Sequence, residues 1–226
     1  MIRSKIYSYS NIAFSIALFS SLFFSFLLLF LRIQKTHSLT YSFLAWNLFL
    51  AAIPFFIVYL MRLSRTISGS RFLTVSAFFL WLLFLPNAPY IITDLMHLAH
   101  LSSEKLWFDV LLIASFAWNG LILGILSMLE MKRLLLNRIP AQKINLLMMI
   151  VSFLCGFGIY LGRFARYNSW DALRHPRLVL GNAIDRMFLP VSSQQTWSIT
   201  LSFGLFIFIC YLLFNALVYR RKYAGK

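Results

Sequence analysis

The sequence predicts an all-α polytopic membrane helix bundle of about six transmembrane helices, and three observations carry that reading. Hydrophobic residues fill 61% of the 226 positions and charged residues only 12%, against about 45–50% and about 25% in soluble domains. A soluble fold of this length has too little interior to hide that much apolar surface. The apolar residues fall in runs near the roughly 20 residues of helix that cross a bilayer core. The basic residues sit between those runs, where they orient helices and meet anionic headgroups.

The spans are expected at about 11–31, 40–61, 72–92, 106–129, 144–162 and 197–219, within a single integral membrane domain over 1–226. The first run follows Arg3 and Lys5 but exceeds the roughly 7–15 residues of a signal-peptide core. Arg32 and Lys35 come next where a small-residue cleavage site would stand, so the run reads as a membrane helix. The third run differs from the rest. Phe72–Leu85 reaches only about 21 Å as a helix before Pro86-Asn87-Ala88-Pro89, which removes N–H donors and restricts the residues before each proline. Irregular backbone at membrane depth is tolerated only where protein or trapped water covers it. The expectation is a new half-helix starting near Thr93 and Asp94, capped by one of them, with its positive end facing a polar pocket.

Orientation follows from charge. With the N-terminus inside, eight of the 21 Lys and Arg fall outside: Arg32, Lys35, Lys105, Arg163, Arg166, Arg174, Arg177 and Arg186. The other 13 fall inside, the bias of a positive-inside protein with both termini in the cytoplasm. The setting expected is a bacterial cytoplasmic (inner) membrane, with the lipid bilayer as the main partner. The net charge of +15 does not point to nucleic acid, because no basic and aromatic platform lies outside the spans. Cys155 and Cys210 lie within apolar runs without metal or redox spacing and read as packing residues. No phosphate loop, HExxH or GxSxG is present, and no cofactor or metal is expected.

The polar residues that remain collect at the outer end. Asp94, His97, His100 and Glu104 share about a 120° arc if their segment is α-helical. Three readings stand: a metal site at the histidines, a general base at His97 oriented by Asp94, or a solvated interfacial stripe. Asp109 early in the fourth span and Arg163 or Arg166 at the end of the fifth lie at matching depth. Gly120 and Gly124 line one helix and Gly158 and Gly162 the other, as where helices approach closely. Asp109 is therefore expected to pair with Arg163 or Arg166, both facing into the bundle. Asn47, Asn119 and Asn215 read as interhelical hydrogen-bond glue. The last outer loop, 163–196, carries a helix start at Asn168-Ser169-Trp170-Asp171, a stop at His175-Pro176, and an amphipathic stretch Leu178–Leu189 suited to the membrane surface.

Three stretches resemble the bacterial membrane family called domain of unknown function 1361. They are Trp46-Asn47-Leu48-Phe49-Leu50-Ala51-Ala52-Ile53-Pro54; Leu85-Pro86-Asn87-Ala88-Pro89-Tyr90 with Thr93-Asp94-Leu95 and His97; and Gly158-Ile159-Tyr160-Leu161-Gly162-Arg163-Phe164 with Arg166 and Asn168-Ser169-Trp170-Asp171. Tyr167 stands where Trp is expected. The resemblance implies a multi-pass bacterial membrane protein and brings no activity with it. Its motifs fall on the features that the residues themselves single out.

These readings converge on a polar site at the outer face that binds or modifies an anionic lipid or cell-envelope intermediate. Asp94 and His97 are the acid–base candidates. Arg163, Arg166, Arg174, Asn168, Asp171, Asn87 and Tyr90 are the ligand-binding ones, with Asp109 in a structural ion pair. The competing readings are a small-solute transporter, with a midplane site at the broken helix, and a non-catalytic accessory subunit. The ionisable residues gather at one edge instead of mid-membrane, which favours the surface site. Protein partners are not indicated.

Overall fold

A computed structural model of the chain describes residues 8–100, 106–136, 138–167, 171, 174–175, 177, 181, 184–186 and 190–223. The described residues are mostly helical and include no strand. Helix α1 is Ser8–Thr36, α2 Phe43–Leu63, α3 Arg65–Gly69, α4 Arg71–Phe84 and α5 Asn87–Tyr90. A 3-10 helix covers Ile91–His100, followed by α6 (Leu106–Leu135), α7 (Ala141–Arg163) and α8 (Pro190–Tyr223). Six stretches are long and apolar enough to cross a membrane: Ile12–Thr36, Phe43–Leu63, Arg71–Leu98, Leu106–Leu135, Ala141–Arg163 and Gln194–Val218. Each overlaps one of the six stretches expected from the sequence, and the first, third and fourth run further, to Thr36, Leu98 and Leu135.

Helix α6 is the hub. Over its apolar window 56% of residues are buried, against 17% in the first and last spans, and it packs against α1, α2, α5, the 3-10 helix, α7 and α8. Its two sides build two cores. Leu112, Phe116 and Ala117 meet Leu44, Leu48, Ala88 and Ile91 on one side; Ile125, Met128 and Met131 meet Trp81, Met148 and Tyr211 on the other. Phe19, Phe23, Phe72 and Phe79 point outward, the surface that a hydrocarbon solvent requires. Cys155 is a buried packing residue and Cys210 a half-buried one, both as free thiols.

The third span breaks where the prolines predict. After α4 the chain makes a tight turn, in which the Ala88 N–H donates to the Leu85 carbonyl at 3.1 Å and the Tyr90 N–H to the Pro86 carbonyl at 3.1 Å. The Asn87 side-chain amide donates to the Phe84 carbonyl at 2.9 Å. A helix continued through this point would have used the Ala88 N–H for that carbonyl, so Asn87 stands in for the donor that the break redirects. The half-helix expected to begin at Thr93 and Asp94 is not there. Helix resumes at once at Asn87, with Pro86 before it and no side-chain cap. Thr93 spends its hydroxyl as a donor to the Tyr90 carbonyl, at 2.6 Å. Two prolines three residues apart suit adjoining tight turns better than a gap followed by a fresh helix.

Protein covers the break on two sides. A Cβ at Gly120 of α6 would lie 2.6 Å from the Ala88 carbonyl oxygen, and one at Gly158 of α7 2.4 Å from Pro86 Cγ. Only glycine lets the backbones of α6 and α7 come this close to the kinked segment. The expected small-residue stripes are therefore real, but each grips the break instead of the other helix.

The glue asparagines act as such. Asn119 donates to the Ser21 carbonyl and Ser25 hydroxyl of α1, at 3.0 and 2.9 Å. At the far end of α6, Lys132 donates to Asn145 of α7 at 3.1 Å and Asn215 of α8 at 3.0 Å.

Candidate functional site

Asp94 is the centre of a polar cluster at the end of the bundle where α7 terminates. Its side chain is only 1% exposed. Asn47 of α2 donates to one carboxylate oxygen at 2.9 Å. The other oxygen accepts from Nη2 of Arg163 on α7 in a buried ion pair. Burial of a carboxylate is strongly unfavourable unless it is paired and hydrogen-bonded, and here both oxygens are satisfied from two different helices.

Arg163 is equally engaged. Its Nε donates to the Thr93 hydroxyl at 2.8 Å, its Nη1 lies 3.4 Å from His97 Nε2, and the guanidinium sits over the Tyr90 ring at 4.6 Å. As found, Arg163 answers an internal carboxylate and not an outside anion. Tyr90 forms the floor beneath it, and Gly162 gives that ring room.

His97 lies one 3-10 turn beyond Asp94 and is 51% exposed. Guanidinium is a donor only, so in this contact His97 Nε2 is the accepting atom. The nearest Asp94 oxygen stands 3.9 Å from the same Nε2, beyond hydrogen-bond length. The structure thus brings together the pair read from sequence, with Arg163 between them as the orienting group. The His97 ring packs on Phe43 at 5.3 Å. His100 ends the same 3-10 helix, where every third residue aligns; its side chain and Glu104 lie outside the described residues.

Asp109 corrects the sequence reading. It is buried, as expected, but its partner is Arg32 at the end of α1, through a two-point contact of 2.5 and 3.0 Å. Tyr41 donates to the same carboxylate at 3.2 Å and lies under the Arg32 guanidinium at 5.5 Å. Burial, then the Asp109 charge, pushes the Tyr41 phenol up from its ordinary value. Depth does not distinguish Arg32 from Arg163, since each closes a helix at the same end. The face does: Asp109 points toward α1 and α2. Phe43, between Tyr41 at 6.2 Å and His97, joins this cluster to the first.

Arg166 also departs from expectation. Helix α7 stops at Arg163, so Arg166 does not continue the glycine stripe into the bundle; it is exposed, with φ of 59°. Arg174 is exposed on a helical turn closed by the His175 N–H to the Asp171 carbonyl at 2.8 Å. Asn168, with most of the stretch Leu178–Leu189, lies outside the described residues. Arg186, which the sequence reading left without a role, donates to the Tyr160 hydroxyl at 3.3 Å. Its carbonyl accepts from Thr196 at 3.3 Å. This pins the long loop to α7 and α8. Among the described residues no three His, Cys, Asp or Glu side chains are grouped to hold a metal.

The family model described as "Protein of unknown function (DUF1361)" matches residues 46–210. The chain belongs to that family. No curated protein and no solved structure matches it. The DUF1361 region takes in the whole first cluster (Asn47, Tyr90, Thr93, Asp94, His97 and Arg163), and its boundary leaves Arg32 and Tyr41 outside. Membership in DUF1361 brings no assigned reaction, and the membrane setting rests on the six long apolar helices, so the chemistry has to be argued from the site.

Proposed function

We propose that this DUF1361 protein binds an anionic lipid headgroup, or a cell-envelope intermediate of like charge, at the outer face of a bacterial cytoplasmic membrane. The observation that carries this reading is the contact between Arg163 and His97. With Nε2 engaged by Arg163, Nδ1 of the half-exposed ring is the nitrogen left to donate to a ligand. Asp94, with both oxygens engaged and its side chain 1% exposed, is poorly placed to take a proton from a substrate. A site that offers donors and withholds its base favours binding over acid–base chemistry. The exposed Arg166 and Arg174 add positive charge at the same end. In this reading Arg163 organises the site and does not itself touch the ligand. The distribution of Lys and Arg supports placing this end outside, with both termini in the cytoplasm.

A transporter with a midplane site is less well supported. The break in the third span is gripped by Gly120 and Gly158 and lines a narrow apolar pocket with Leu85, Pro89, Leu121 and Met128. Native mass spectrometry of the protein purified in mild detergent tests the binding reading. Anionic phospholipid should be retained above its share of the membrane, and His97→Leu should reduce the excess. A retained-lipid profile identical to the bulk membrane would sink the proposal.

A further inference from the structure

We infer that Arg166 is the phosphate-contacting residue of this site, held outward by the turn that ends α7, so that the ligand is a phosphate ester. The inference rests on the headgroup reading above and names the chemistry of its ligand. The last turn of α7 opens out. The Phe164 and Ala165 N–H groups both donate to the Tyr160 carbonyl, at 3.0 and 3.3 Å, and the Tyr167 N–H reaches back to Leu161 at 3.0 Å. This closes the chain around Arg166 in the left-handed region, at φ of 59°.

The residue just past a helix end that adopts this conformation is usually glycine, sometimes Asn, because a Cβ is crowded there. Arginine has no preference for it. The other described non-glycine residue at positive φ, His37 after α1, is of a type that enters the region more readily. Strain of this sort persists where the side chain serves a purpose. The Tyr167–Leu161 bond holds the turn, but the Arg166 side chain adds nothing to it: it is exposed and, among the described residues, enters no ion pair. Attraction to the helix C-terminus would need only a cation in the last turn, and Arg163 already supplies one.

What the turn does achieve is to leave the Arg166 guanidinium exposed, three residues beyond Arg163, at the end of the bundle that holds His97. At a membrane edge the abundant partner for a planar, five-donor cation is a phosphate oxygen pair. That group comes on a lipid headgroup or on a soluble phosphate, and the two share this contact.

The test compares wild type with Arg166→Gly, Arg166→Asn and Arg166→Lys in nanodiscs of phosphatidylcholine. Each is titrated with phosphatidylglycerol and, separately, with inorganic phosphate, and its thermal midpoint is recorded. The Gly and Asn variants should melt at the wild-type temperature or up to about 5 °C higher. They should lose about tenfold or more in phosphatidylglycerol binding, as for one charge-assisted contact. The Lys variant should retain part of the binding and none of the gain in stability. If inorganic phosphate binds wild type and is lost in the same variants, the contact is to phosphate alone; binding only of the lipid assigns it to the headgroup. Unchanged phosphatidylglycerol binding in Arg166→Gly, or a lower melting temperature, overturns the role given to Arg166 and leaves the headgroup reading standing. A wild-type protein with no preference for phosphatidylglycerol or phosphate removes the headgroup reading itself.

Discussion

Arg32 and Asp109, 77 residues apart in the chain, meet through two hydrogen bonds of 2.5 and 3.0 Å and tie the end of α1 to the start of α6. Because Asp109 is 1% exposed, removing either partner strands the other. Asp109→Asn and Arg32→Leu should each lower stability in detergent by about 1–3 kcal/mol. The double substitution should cost less than the two losses combined, the signature of direct coupling. Additive losses in thermal unfolding would show that the pair is not energetically real.

Asn47 and Arg163 share Asp94 between them, so their losses should differ in kind. Asn47→Leu takes away one neutral donor and should cost about 1 kcal/mol or a little more. Arg163→Leu leaves a buried carboxylate without its counter-charge and should cost about 3–5 kcal/mol. Adding Asp94→Leu to the Arg163 variant should recover stability. Failure to recover would mean that Asp94 has some other compensating partner.

The glycines give the sharpest steric contrast. Gly158→Ala and Gly120→Ala place a methyl against Pro86 and the Ala88 carbonyl and should lower folded yield and melting temperature, since overpacking of this sort typically costs about 1–3 kcal/mol. Gly181 has nothing within 4 Å of its would-be Cβ, and Gly181→Ala should be neutral. Equal effects at all three sites, read by size-exclusion profile and thermal shift, would contradict the close approach.

Topology is tested by reporter fusions. Those placed after Lys35 and Lys105 should report the outer side and one after Lys226 the cytoplasm. A C-terminal fusion that reads outside would invert the membrane and place the Asp94 cluster on the inner face.

The bundle was legible because hydrocarbon is a severe solvent: long apolar runs and charged punctuation leave few alternatives. The break was legible from Pro86 and Pro89 for the same reason. The site was legible in part. Asp94, His97 and Arg163 could be found, since ionisable residues inside a span need partners. Which partner each takes could not. Arg32 looks in sequence like the basic flank of any first span, and depth alone fits Asp109 to either arginine. Asn47 was read as generic glue, yet its bond goes to the carboxylate that matters most. Arg166 was misplaced because helical periodicity carries no notice of where a helix ends, and α7 ends three residues earlier.

The kink clasped by Gly120 and Gly158 has a consequence for how the protein is made. Pro86 and Pro89 come off the ribosome before either glycine has been synthesised, so the third segment reaches the bilayer without the helices that will shield its irregular backbone. Exposed to lipid alone, those peptide groups are unfavourable. The nascent third segment is therefore expected to stay beside the insertion machinery, in a partly hydrated setting, until the fifth segment arrives. Stalling translation between Gly120 and Gly158 should trap an intermediate in which residues 85–91 still react with water-borne reagents.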